Sequence, residues 1–119
     1  MKFMKRFTLA IVLATFVLCL PLDSYAEFYD GNQLVDMMRE WEKGVNKMPN
    51  VEWGQADTFT GYVVGVWDAT ANDYNRQGDI TVGQICSIVA KYLKDNPEKW
   101  SLSAVRLVKE ALRNAFPKR

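Results

Sequence analysis

Apolar residues fall at helical spacing in four separate stretches of this chain, and nowhere do they alternate with period two. Leu34, Met37, Met38 and Trp41 recur at i, i+3, i+4 and i+7, which is one apolar face of a helix. Asp30 is a suitable N-cap for it, and Gly44 is placed to end it, so the pattern predicts a helix over about 31–43. Phe59, Tyr62, Val63, Val66, Trp67 and Thr70 repeat the period. Gly61 and Gly65 lie four apart on a neighbouring face, a spacing that predicts close approach of another backbone. Thr81 and Gln84 fit a capping box, and Ile80 and Ile85 around them fit a hydrophobic staple. That helix carries Ile85, Ile88, Val89 and Tyr92 and stops before Pro97, because the residue preceding a proline resists helical dihedrals. The last stripe, Ala104, Leu107, Val108, Ala111, Leu112, Ala115 and Phe116, opens near Ser101 or Ser103 and ends at Pro117. The expected fold is all-α: a small single-domain bundle of about four helices with no sheet.

Two connections interrupt the helices. Residues 45–57 (VNKMPNVEWGQAD) read as a loop, broken by Pro49, Asn50 and Gly54. Within it Trp53 either tucks onto the core or serves as a contact residue. Residues 71–79 (ANDYNRQGD) read as a polar turn. The Met-rich face of the first helix reads as core in preference to a soft binding surface.

A different pattern stands at the start of the chain. Lys2, Lys5 and Arg6 precede an uncharged apolar run, Phe7 to Leu20, and Ser24 and Ala26 put small residues at the −3 and −1 positions of a leader-peptidase site. This is the form of a secretory signal peptide. The run is shorter than the roughly 20 residues of a comfortable membrane span. Cys19 does not make a lipoprotein site, since Leu18 stands where a small residue is needed. The expected organisation is a signal peptide over 1–26 and a helical domain over 27–119, exported to the periplasm and free of the membrane after cleavage.

Loss of the leader changes the charge. The whole chain has 15 Lys+Arg against 14 Asp+Glu; without Lys2, Lys5, Arg6 and Asp23 the counts are 12 and 13, a net charge of −1. That balance gives no footprint for nucleic acid or an anionic membrane. The 93 residues that remain make one domain with a small core.

Candidate chemistry is sparse. The chain contains no histidine, which removes the commonest general base and metal ligand. Cys86 is the one cysteine after the leader, so no internal disulfide forms, and it has no histidine to activate it. It reads as a buried, inert thiol. Asp36, Glu40 and Glu42, and Asp68, Asp73 and Asp79, are clustered acids, but carboxylates on amphipathic helices are usually solvated surface. Asp68 is either a buried hydrogen-bonding group or a plain surface acid. Residues 73–79 (DYNRQGD) resemble a calcium loop in passing but lack its alternating ligands and distal Glu. No catalytic residue, metal ligand or cofactor site is expected, and the chain does not read as an enzyme.

Several short patches nevertheless stand in a telling order. They are Gly31-Asn32-Gln33-Leu34, Gly61 to Asp68 (GYVVGVWD), Ile80 to Gln84 (ITVGQ), Lys91-Tyr92-Leu93, Asn96-Pro97-Glu98, Ser103-Ala104, Ala111-Leu112 and Ala115-Phe116-Pro117. This series resembles the Rap/Tai family of type VI secretion immunity proteins, over about residues 31–117. The resemblance implies a small periplasmic helical protein that binds and blocks a secreted peptidoglycan-cleaving amidase, with no catalytic residues to carry over. Family members tend to carry cysteine late in the first helix, after the terminal Phe-Pro and before the segment at Ile80; here Met38 and Lys118 fill the first two places and the third is also empty of cysteine.

Recognition is expected on the two connections, because loops on a rigid scaffold usually carry it. Trp53 and Tyr74 are the expected aromatic anchors, and Glu52, Asp57 and Asp73 would steer a basic partner. The apolar excess also fits a homodimer. The alternative function is a periplasmic acid-stress chaperone that exposes apolar surface when acid loosens it. Cleavage after Ala26 is directly testable: intact-mass measurement of periplasmic material should give a chain beginning at Glu27, and a species retaining Met1 would show an uncleaved anchor instead.

Overall fold

The computed structural model describes residues 2–18, 28–76 and 78–118. Five α-helices are present among them: α1 (Lys2–Leu18), α2 (Gly31–Val45), α3 (Trp53–Ala69), α4 (Val82–Asp95) and α5 (Ala104–Ala115). Two short 3₁₀ turns, Ala71–Asp73 and Pro97–Lys99, join α3 to α4 and α4 to α5. The described residues form no strand; one isolated bridge pairs Asp30 with Ser103. The all-α expectation therefore holds, with five helices among the described residues against about four expected, the additional one being α1. No described helix is long and apolar enough to cross a membrane. The cleavage expected between Ala26 and Glu27, with Ser24 before it, falls outside the described residues.

Each helix start has a local cause. Asp30 accepts from the Gln33 backbone N–H while the Gln33 side chain accepts from the Asp30 N–H, a reciprocal capping box. Thr81 and Gln84 do the same at α4, as their spacing predicts. Ser103 caps α5 through the Arg106 N–H. At its other end α4 closes on Asn96, whose side chain donates to Tyr92 O before Pro97 opens the 3₁₀ turn. The end of α2 differs from expectation. It runs past Gly44 to Val45 and closes in a Schellman-type turn, with Met48 N–H donating to Lys43 O and Lys47 N–H to Gly44 O. Lys47, not the glycine, takes the left-handed position, at φ 53°.

The core forms where the stripes meet. α2 packs most extensively on α3, and α4 packs on α5 and α3. Leu34, Met38, Phe59, Val63, Val89, Leu93, Leu107, Val108 and Leu112 are essentially inaccessible. Cys86 is fully buried among them, and burial pushes its thiol pKa up. Leu34, Met37 and Met38 are all core, which settles the Met-rich face of α2 as packing rather than binding surface.

Two ties set how the helices sit. The first is at the start of α2. Gly31 N–H donates to Leu102 O at 2.8 Å and Ala104 N–H to Tyr29 O at 3.0 Å, so the entries to α2 and α5 lie side by side. A Cβ on Gly31 would stand 2.5 Å from both Leu107 Cδ1 and the Trp100 carbonyl oxygen. Asn32 donates to the same carbonyl, and the Trp100 indole N–H donates to Leu93 O at 2.7 Å. The second tie is Glu110 on α5. Tyr92 on α4 donates its hydroxyl proton to Glu110 Oε2 at 2.6 Å, and Arg106 Nε donates to Oε1 at 3.1 Å. Lys99 reaches both Tyr92 Oη and Glu110.

Gly61 and Gly65 overturn one expectation. Nothing described lies within 4 Å of a Cβ built on either, so among the described residues no other backbone approaches them. The core stripe of α3, Phe59, Val63 and Val66, turns inward and leaves the glycine face outside, bordering a shallow groove with Ala69 and Val105.

Gly31→Ala should be among the most damaging small changes. Backbone atoms of Trp100 have to move, and overpacking of this kind costs about 2–3 kcal/mol; the urea midpoint should fall with the m-value unchanged. The Glu110 tie makes stability acid-sensitive. The Tyr92 hydroxyl holds the Glu110 carboxyl below the ordinary value of 4.5; burial opposes this, and Arg106 and Lys99 assist. A depressed carboxylate stabilises fully above its unfolded value and loses that contribution as pH falls through its folded value. Glu110→Gln should cost about 1 kcal/mol at neutral pH. The gap to wild type should close below about pH 4.5 in urea midpoints taken across pH; a gap independent of pH would refute the tie.

Candidate functional site

The α2–α3 corner gathers three of the five residues expected to meet a partner. Residues 46–52 leave the Schellman-type turn, pass a second left-handed residue at Asn50 (φ 60°), and enter α3 at Trp53. The break before α3 is thus shorter than expected: Trp53 and Asp57 sit on the first two turns of a helix, not in a loop. Gly54 did not prevent this, because Gln55 and Ala56 N–H both donate to Glu52 O and start the helix regardless.

Trp53 is 61% exposed, with the edge of its indole over Gly44 of α2. It neither tucks into the core nor stands free. Val45 and Met48 beside the corner are also more than half exposed. Glu52 and Asp57 are exposed as well, and among the described residues neither side chain is in an ion pair. Below them Glu40 accepts from Lys43 Nζ at 2.6 Å and from the Glu52 backbone N–H at 2.9 Å. Those two bonds, the lysine first, hold its carboxyl below the ordinary value. The result is an apolar knob with an acidic border.

The second connection differs. Asp73 lies exposed in the 3₁₀ turn, with Arg113 Nη2 at 3.5 Å. Tyr74 is 5% exposed, which corrects its expected role as a surface anchor. Its ring stacks on Trp67 at 5.3 Å and 10°, and its hydroxyl is hydrogen-bonded to Thr70 at 2.5 Å. Phe116 meets Trp67 in an edge-on contact at 5.2 Å, and Arg76 lies over the Trp67 ring while donating to the Trp67 carbonyl. Trp67 and Thr70 at the end of α3 therefore hold Tyr74, and Phe116, distant in sequence, packs on the same Trp67 ring, an arrangement that a polar run such as residues 71–79 does not announce.

A groove of about 770 Å³ starts next to the corner, at Trp41 and Val45, and runs between Ile80, Ile88 and Phe116. The sequence reading missed this groove and the exposed pair Val45 and Met48. A signal was present for Met48, an apolar residue next to Pro49, whereas Val45 lies four residues after Trp41 and continues the spacing of the core stripe. Asp68 is exposed, a plain surface acid. Among the described residues no group of His, Cys, Asp and Glu could hold a metal ion, residues 73–79 included apart from Gln77.

These features define the class: a small all-α domain with fully satisfied buried side chains among its described residues and an aromatic corner turned to solvent. The family model of Rap1a immunity proteins matches residues 30–117, and the chain belongs to that family. No curated protein matches the chain. Membership implies that its partner is a secreted effector.

Proposed function

We propose that the protein is a periplasmic type VI immunity protein that binds a secreted peptidoglycan amidase and blocks its active-site cleft, without enzymatic activity of its own. The family match over residues 30–117 carries this reading. The basic and apolar leader supports export, with removal of residues 1–26 leaving a domain free of the membrane. The corner supports occlusion. Trp53 offers a large exposed aromatic, Val45 and Met48 widen the apolar patch, and Glu52 and Asp57 suit a cleft with a basic rim. Asp73, exposed in the other connection, is a second steering charge. No cofactor enters this reading, and homodimerisation is compatible with it. The chaperone alternative loses its motivating feature, since the Met-rich face of α2 is core.

Inhibition has to outcompete substrate, so a nanomolar dissociation constant is expected, about −12 kcal/mol. A few anchors supply most of such energy. Trp53→Ala should leave stability within about 0.5 kcal/mol of wild type, because the indole is largely exposed. It should weaken binding by about 2 kcal/mol, roughly 30-fold. Tyr74→Ala should do the reverse, costing about 3 kcal/mol of stability through an emptied aromatic site. The measurement is survival of cells that carry each variant and receive a co-encoded amidase in the periplasm, alongside urea titration. Full protection by Trp53→Ala would remove the corner from the interface. Failure of the wild type to protect, with reversible apolar-dye binding near pH 3, would replace immunity with the chaperone.

A further inference from the structure

Gly44 is an unexpected residue for its place. It lies within α2, where alanine would favour the helix by about 1 kcal/mol. Its backbone does not need glycine, since the left-handed position that ends the helix belongs to Lys47. What glycine provides is room. A Cβ at this position would stand 3.0 Å from Trp53 Cζ3 and 3.2 Å from Cη2. The indole therefore rests on bare helix backbone, with most of its remaining surface in solvent.

The approach to Trp53 is fixed from the same helix. Glu52 holds the N-cap position of α3, but its side chain makes no capping bond. Its N–H donates to Glu40, one turn before Gly44 on α2. Glu40 is 17% exposed, and its second oxygen is held by Lys43. One carboxylate thus clamps the residue directly before Trp53, and one glycine seats the ring.

We propose that Glu40 and Gly44 are positioning residues that hold the Trp53 indole in a single preset orientation for the effector's cleft. The proposal rests on the immunity reading above. An aromatic ordered before contact spares the cost of ordering it on binding, which is worth about three- to tenfold in affinity. It also restricts the protein to clefts of one shape.

The test separates position from stability. In proton NMR of the purified protein, the Gly44 α-protons should be displaced from their ordinary positions by the indole ring current, and Trp53→Ala should abolish the displacement. Glu40→Ala should remove most of it. Glu40→Gln should keep most of it, because the amide oxygen still accepts from Glu52 N–H. Gly44→Ala should leave the thermal midpoint unchanged or raise it, a result that a purely structural glycine would not give. In the survival assay with a co-encoded amidase, Gly44→Ala and Glu40→Ala should each protect about three- to tenfold less well than wild type, and Glu40→Gln should protect nearly as well. An unshifted Gly44 signal in the wild type, or one that survives Glu40→Ala, overturns the proposal. Full protection by Gly44→Ala beside loss in Trp53→Ala overturns it too, while the immunity reading stands. Failure of the wild type to protect overturns both.

Discussion

Everything else in the bundle depends on how closely α2 starts against Trp100. The first residue of α2 has no space for a methyl group on the side facing Leu107 and the Trp100 backbone. Contact that tight is possible only with glycine, and it brings three other groups into range. Gly31 N–H meets Leu102 O, Asn32 meets Trp100 O, and Ala104 N–H meets Tyr29 O. These bonds put the capped starts of α2 and α5 next to each other. Once they are adjacent, Leu34 and Val35 face Leu107 and Val108 in one core. The order of causes runs from a missing side chain, to backbone bonds, to helix placement, to burial of apolar area worth about 25 cal/mol per Å².

That chain of causes explains what could be read in advance. Capping boxes are local: Asp30 with Gln33 and Thr81 with Gln84 lie three residues apart, so spacing alone reveals them. The core stripes were legible for the same reason, because period 3.6 is a property of each helix by itself. The Gly31-Asn32-Gln33-Leu34 patch shows the limit. Gln33 and Leu34 act within α2, whereas Gly31 and Asn32 act on residues about 70 positions away. Pattern reading found the patch but not what half of it does.

The same distinction accounts for the corrections. Tyr74 sits in a polar run, and it is core because its ring stacks on Trp67 and its hydroxyl meets Thr70, both at the end of α3. Gly61 and Gly65 have the spacing of a close contact, yet face outward, because spacing fixes which face a residue shares and not what meets that face. Gly44 looked like a terminator and is a seat for Trp53. Lys118 stands where the resemblance places a cysteine, and there the C-terminal segment is held without one. Lys118 donates to Asn72 O, Asn75 N–H donates to Phe116 O, and Arg113 reaches Asp73. Several weak polar ties and the aromatic stack hold the segment.

The large apolar side chains of this small domain divide between its core and one exposed corner. So small a domain has a narrow margin, and most of its large apolar side chains are needed for the core. Three of them, Val45, Met48 and Trp53, are left in solvent within nine residues of each other. Left to move freely they would be an aggregation risk and a poor binding surface, since each would have to be ordered on contact. Two left-handed residues, Lys47 and Asn50, add strain of about 1–3 kcal/mol each to the connection that carries them. Strain and exposed apolar surface in one short segment, on an otherwise well-packed bundle, are costs that folding alone does not explain. They make sense where the surroundings hold that segment in place, as Glu40, Lys43 and the closing turn of α2 do here. The geometry of the corner then follows from the helix beneath it.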